Sequence, residues 1–338
     1  MNHMPVWMAP LIAVVVAGMI TPVLRKWLAH SNLVDLPGER RSHSLPTPRG
    51  GGLAVVAALL AAVLLSSWPW WQGLLLLILF SALGWLEDRR ELAPPIRLVA
   101  QMLLAVLALG LIGGVESVDV FGYSVHSPWL WTALSGIAIV WLINLHNFMD
   151  GSDGLAAMQG IWSGLVLGVL MLQGQQIAPA IFALSMAGAF GGFLLWNRPP
   201  AKVFMGDAGS VALGGSVAIL ALVGAVGGTV SIWMSLLVTS LFVVDATATL
   251  VMRVVQGEQW YTAHRQHAYQ RLITAGWSHA QVLALYAATN LLLVLPVVLL
   301  AKRYPNLELP LALAVAGLLA GAWWVIQSAT RTEKIRHE

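Results

Sequence analysis

The sequence predicts an all-α polytopic membrane protein, and three observations carry that reading. Of its 338 residues 58% are hydrophobic, only 10% are charged, and the apolar residues fall in long uninterrupted runs. A water-facing surface needs about 25% charged residues. This chain cannot cover one, and its mean hydropathy is +0.78. Disorder is excluded for the same reason, because it requires low hydrophobicity and high net charge. There is no cysteine, so disulfides, thiolate metal sites, iron–sulfur clusters and cysteine nucleophiles are excluded too. The net charge is only +3, and no nucleic-acid partner is expected from it despite a pI near 9.4.

A helix crosses the apolar core of a bilayer in about 20 residues. Eleven stretches qualify, at 5–24, 50–67, 71–86, 96–114, 129–146, 156–173, 177–195, 209–227, 230–252, 280–301 and 309–328. The first lacks a basic start and a small-residue cleavage site, so it is expected to be retained rather than removed as a signal peptide. With eleven spans, 16 of the 18 basic residues fall on one side. They are Arg25, Lys26, Arg40, Arg41, Arg49, Arg89, Arg90, Arg97, Arg198, Lys202, Arg253, Arg265, Arg271, Arg331, Lys334 and Arg336, against Lys302 and Arg303 on the other. Basic loops stay cytoplasmic, which puts the N-terminus outside and the C-terminus inside. Trp68, Trp70, Trp71, Trp129, Trp131, Trp196 and Trp260 lie at span ends, where amphipathic rings favour the interface. Gly188 and Gly192 fit close helix packing in lipid. Residues 116–127 alternate apolar and polar about Gly122, which predicts a short outer hairpin. No repeat or separable soluble segment appears, so residues 1–338 read as one integral-membrane domain.

Five loops, all on the basic side, hold the polar chemistry. The first runs from Val34-Asp35-Leu36-Pro37 through Arg40, Arg41 and His43 to Pro48-Arg49-Gly50-Gly51-Gly52. It is either an ordinary positive loop or a rigid turn whose bare backbone holds Arg and His near phosphate. The second is Glu87-Asp88 at a span end, where adjacent carboxylates solvate the interface or raise one another's proton affinity for metal or base chemistry. The third, Asn144 to Gly154, sets Asn144, His146, Asn147, Asp150, Ser152 and Asp153 into an apolar run. Polar groups at such depth are expensive and usually functional. It is no EF-hand, because the twelfth position from Asp150 is Ile161 rather than Glu.

Asp207 in the fourth, Phe204-Met205-Gly206-Asp207-Ala208-Gly209-Ser210, is either a helix cap or a carboxylate brought close to a metal–diphosphate by its glycines. The fifth carries His264, Arg265, His267 and Arg271, a mixture suited to phosphate recognition rather than zinc. Asp245, inside the ninth span, is either a functional intramembrane acid or the partner of a basic group in loop five.

As an ordered set, these motifs resemble the polyprenyl-phosphate N-acetylhexosamine-1-phosphate transferases, glycosyltransferase family 4. The matching strings are V-D-L-P-x-x-R-R-x-H…P-T-P-R-G-G-G (34–52), N-x-x-N-x-x-D-G-x-D-G (144–154), F-M-G-D-x-G-S (204–210) and H-R-x-H-x-Y-Q-R (264–271). The form of the last is similar to the branch that initiates bacterial O-antigen. Where the family usually has Asp-Asp, this chain has Glu87-Asp88, which makes Asp88 the firmer candidate.

The resemblance implies transfer of a sugar-1-phosphate from a UDP-N-acetylhexosamine to undecaprenyl phosphate at the cytoplasmic face of a bacterial inner membrane, with membrane lipids around it and room for a homodimer. It assigns Asp207 and Asp150 to Mg²⁺ (with Mn²⁺ as a substitute), and Glu87, Asp88, Asp150 and Asp153 to catalysis. Asn144, Asn147, His264, Arg265, His267, Arg271, Asp35 and Arg49 fall to the substrates. It leaves open whether Asp88 is a base or a positioning group, and whether transfer is direct or passes through an aspartyl-phosphate. The rival reading is a secondary transporter built on Asp245, which would place its site near the bilayer midplane.

Overall fold

The structure, a computed structural model, describes residues 4–31, 33–35, 46–90, 92–259 and 264–337, with side chains as far as residue 330. Arg40, Arg41, His43 and Trp260 lie outside the described residues, as do the side chains of Arg331, Lys334 and Arg336.

The chain runs α1 (Met8–His30), β1 (Val34–Asp35), β2 (Thr47–Pro48), α2 (Gly52–Leu65), α3 (Trp71–Arg89), α4 (Pro94–Ile112), β3 (Ser117–Val120), β4 (Tyr123–His126) and α5 (Pro128–Phe148). It continues through α6 (Leu155–Gln173), α7 (Ile177–Asn197), α8 (Asp207–Val226), α9 (Ile232–Val255), α10 (Ala268–Thr274), α11 (His279–Thr289), α12 (Leu295–Arg303) and α13 (Glu308–His337). A π turn, Asn290–Val294, joins α11 to α12, so that the two form one run from His279 to Arg303.

Ten of these helical runs are long and apolar enough to cross a membrane. The eleventh expected span is the 14-residue α2, about 21 Å long at 1.5 Å per residue and short of a ~30 Å core. It stops at Leu65 because Ser66-Ser67-Trp68-Pro69 follows, and the residue before a proline is pushed out of the α region. Yet α2 starts against Gly209 at the head of α8, and α3 returns to that place at Asp88. The turn between them sits at the far end, where the Met4 N–H donates to Ser67 Oγ (2.9 Å). α2 therefore carries the chain between the two ends of the bundle despite its length, and the expected alternation is kept.

α6, α7 and α8 form the buried centre, while α1, α4, α5 and α13 present most of their surface outward. In lipid, close approach depends on small residues rather than on water exclusion. Gly188 and Gly192 accordingly lie against the backbone of Pro10 and Val14, which seats α7 on α1. At the far end β3 pairs antiparallel with β4, Val120 opposite Tyr123, around Phe121 (φ 53°) and Gly122 (φ 84°). That is the two-residue hairpin geometry with both central φ positive. The short helix α10, inside loop five, was not foreshadowed by any long apolar run.

Candidate active site

The backbone of loop one is zipped onto loop four. Phe204 N–H donates to Pro48 O (2.8 Å), Gly51 N–H to Phe204 O (2.9 Å) and Gly52 N–H to Met205 O (2.8 Å). This needs bare backbone on both sides: a Cβ on Gly52 would overlap the Gly209 Cα. Gly206, at φ +73°, turns the chain into α8 in a conformation that favours glycine.

The head of α8 is capped from a distance. Asp88 at the end of α3 accepts from the N–H of Asp207 and of Ala208, both at 2.9 Å, satisfying two of the donors that a helix N-terminus leaves unpaired. Its side chain is 1% exposed. Arg49 then forks between two acids, Nε 3.0 Å from Asp88 and Nη2 2.6 Å from Asp207 Oδ1. Burial works against the Arg49 charge, but Asp207 and Asp88 outweigh it and hold its pKa above the ordinary guanidinium value. Asn147, in the last turn of α5, donates to Asp207 Oδ1 (3.0 Å) and to Ser210 Oγ (2.9 Å). Loops one and three thus both hold one oxygen of the Asp207 carboxylate, Oδ1, through Arg49 and Asn147.

Arg49, Asn147 and Asp207 face a cavity of about 300 Å³ at this end of the bundle, lined also by Asp35, Asp150, Asp153 and Arg265, with Gln270, Ile273 and Thr274 of α10 on its other wall. The loop at 150–154 is pinned independently. Gly154 N–H donates to Asn197 Oδ1 (3.1 Å), Ala201 N–H donates to Asp153 Oδ2 (2.9 Å), and His279 Nδ1 lies 3.0 Å from Ser152 Oγ. Burial, with Asp207 next, pushes the Asp150 carboxyl well above the usual carboxylate range, a state that a cation in the cavity would reverse. Among the described residues no three His, Asp or Glu side chains cluster tightly enough to hold a metal alone. Asp207 and Asp150 are the pair that could do so together with a ligand's oxygens.

Several expected places do not hold. Asn144 is not in the cavity wall: its amide pairs with Gln101 of α4 (2.6 Å) and with Val140 O (2.8 Å). Glu87, 5% exposed at its side chain, faces α4, with Arg97 Nη1 at 3.7 Å, and does not line the cavity. His267, expected to face the substrates from loop five, is buried; its ring stacks on Tyr269 (5.8 Å) and lies 3.5 Å from Asp245. His264 packs on His267 (4.9 Å) outside the cavity, and burial, with His267 and Arg253 adding, pushes its pKa down to about 4. Arg271 is half-buried in α10 and also off the cavity wall.

Asp88 caps α8 instead of opening onto the cavity. Of the two readings of Asp245, the structural one is met, because it is tied into the base of α10. Ser210, Asn197 and His279 were not singled out beforehand. Ser210 sits in the fourth motif, whereas only the capping Ser278 marks the place of His279.

A family model described as glycosyl transferase family 4 matches residues 70–225, from the head of α3 to the end of α8. A probable undecaprenyl-phosphate N-acetylglucosaminyl 1-phosphate transferase of Bacillus subtilis is 30% identical over 277 residues, 79% of this chain and 77% of that protein. A phospho-N-acetylmuramoyl-pentapeptide-transferase of Synechococcus elongatus is 30% identical over 302 residues, 81% of each chain. Its counterpart in Listeria monocytogenes is 27% identical over 307 residues, 83% of this chain and 92% of that one.

Proposed function

The chain belongs to glycosyl transferase family 4, and from that premise we propose that it transfers N-acetylhexosamine-1-phosphate from a UDP-sugar to undecaprenyl phosphate, as the first step of a cell-envelope polysaccharide such as O-antigen. The whole chain acts as one multi-pass domain of a bacterial inner membrane, with the cavity on the cytoplasmic side. The 16-to-2 distribution of basic residues supports that orientation. The observation that carries the reading is the convergence of Arg49, Asn147, Asp150 and Asp207 on one cavity at the end of the bundle. A soluble donor and a membrane-bound acceptor can meet only at such an end.

In the reaction an oxygen of the acceptor phosphate attacks the sugar-bearing phosphorus of the donor. A new P–O bond forms, the P–O bond to the uridine-bearing phosphate breaks, and its electrons leave with UMP. Phosphoryl transfer of this kind asks the protein chiefly for positioning and charge neutralisation. Asp207, held by Arg49 and Asn147, and Asp150 fit Mg²⁺, which takes one or two carboxylates plus substrate phosphates. Bound there, Mg²⁺ supplies the charge that offsets the donor diphosphate. Arg49 orients Asp207 and adds a fixed positive charge to the cavity wall. Arg265 and Asp35 face the donor, and Asp153 keeps the 150–154 loop in register through Ala201. Asp88, both oxygens occupied by α8 amides, acts as a positioning group and not as a base.

The test is to incubate membranes containing the protein with undecaprenyl phosphate, Mg²⁺ and a panel of UDP-N-acetylhexosamines, measuring UMP release and the mass of the lipid product. One sugar is expected to give an undecaprenyl-diphosphate-linked product, and chelator is expected to stop it. No lipid-linked product from any donor overturns the reading.

A further inference from the structure

α10 is only seven residues long, too short to hold its shape alone, yet it supplies one wall of the cavity through Gln270, Ile273 and Thr274. Its foundation lies inside the bundle. Asp245 of α9, 4% exposed, accepts from the Ala268 N–H at the first residue of α10 (2.9 Å), from the Tyr286 hydroxyl of α11 (2.8 Å) and from the Thr249 hydroxyl (3.3 Å). His267 Nδ1 stands 3.5 Å from the same carboxylate. A buried charge is stable only when its oxygens are met in this way, and here the partners come from three helices. The Tyr269 hydroxyl reaches on to Phe148 O (3.1 Å).

We propose that Asp245 is a positioning residue for substrate binding: an acid inside a membrane span that anchors the N-terminus of α10 and so holds the α10 wall of the cavity against the donor nucleotide-sugar. The assignment of the cavity to a donor rests on the proposed function; the anchoring of α10 does not. The 150–154 loop has its own ties to Asn197, Ala201 and His279, and Asp207 has its own to Arg49 and Asn147. Loosening α10 gives up the Tyr269–Phe148 bond but leaves these other ties, which hold the reacting groups, and weakens binding of the donor. That separates Asp245 from the reacting groups.

Purified full-length Asp245→Asn and Tyr286→Phe are compared with the parent in two measurements. In hydrogen exchange without substrate, amides of 264–274 are expected to exchange about tenfold faster in Asp245→Asn, with a smaller change in Tyr286→Phe and none in α6 to α8. In steady-state transfer with UDP-N-acetylglucosamine, KM for the donor is expected to rise about tenfold while kcat stays within about threefold. Unchanged exchange at 264–274 overturns the proposal, and so does faster exchange throughout the bundle, which would make Asp245 a general packing residue. A fall in kcat at constant KM overturns it as well. If the parent transfers no UDP-sugar, the proposed function fails, while exchange at 264–274 still decides whether Asp245 anchors α10.

Discussion

The two walls of the cavity are built on different principles. The acidic wall, from Pro48 to Gly52 and from Phe204 to Ser210, is backbone laid on backbone, with four hydrogen bonds between the loops and glycines where Gly52 meets Gly209 and Gly206 meets Gly50. The opposite wall is a seven-residue helix fastened at its base to buried side chains. The first is rigid because neither strand of the zipper can move without breaking several bonds. The second depends on one carboxylate and its partners. The charged groups that must be held to fractions of an ångström sit on the first wall, and the groups suited to shape recognition sit on the second.

This contrast can be broken or sharpened by substitution. The largest effect is expected at Asp207→Asn, which keeps the bond from Asn147 but loses the charge that Arg49 pairs with and that the proposed Mg²⁺ would need. Transfer should fall by about 10³-fold or more, roughly 4 kcal/mol of transition-state stabilisation, with the melting temperature near that of the parent. A variant within tenfold of parental kcat would remove Asp207 from the chemistry. Next is Gly52→Ala: the new methyl meets the Gly209 backbone, which cannot swing aside. A loss of about 3 kcal/mol in stability, read as a large drop in melting temperature, is expected; a parental melting temperature would show that the zipper is pliable.

Asp88→Asn comes third. It removes the charge from two α8 bonds and from the Arg49 pair, and one amide oxygen cannot serve both N–H groups. The cost should be about 2 kcal/mol, appearing as roughly a thirtyfold loss of kcat with the pH profile unchanged, whereas loss of one limb of that profile would make Asp88 a base. His267→Ala is expected to cost a similar amount, but in stability, because the ring is buried between Tyr269 and Phe148. A parental melting temperature would place it in a solvated loop. The smallest change is expected at Glu87→Gln. The carboxylate lies off the cavity, and its ion pair with the part-exposed Arg97 is long, at 3.7 Å, so neutralising it should shift stability by less than about 1 kcal/mol and activity by less than about threefold. A loss of most activity would restore Glu87 to the acidic cluster.

The helical organisation and the location of the site were readable in the chain because both are local properties. A run of about 20 apolar residues has few alternatives to a membrane helix, and strings of Asp, Asn, Arg and Gly interrupt such runs only where polar groups are tolerated. Even the short α2 kept its place in the ladder, since the loops on either side of it were unmistakable. The hairpin around Gly122 was legible in the same way, from alternation over a few residues.

What each polar residue does within those loops was a matter of direction, and direction belongs to the tertiary structure. Asn144 and Asn147 stand three positions apart on α5, about 60° apart around its axis. That rotation sends one to Gln101 of α4 and the other to Asp207 and Ser210 of α8. Glu87 and Asp88 are adjacent and diverge by about 100°, so one faces Arg97 and the other the head of α8. His267 and Arg265 share a loop, yet α10 turns the first inward to Asp245 and leaves the second on the cavity. The sequence by itself determined that the chain is a membrane helix bundle with its polar chemistry gathered at one end, because hydrophobic length and polar interruption are written along the chain. Only the folded bundle decided which carboxylate faces the cavity and which caps a helix, because that depends on the neighbour each side chain meets across a helix–helix contact.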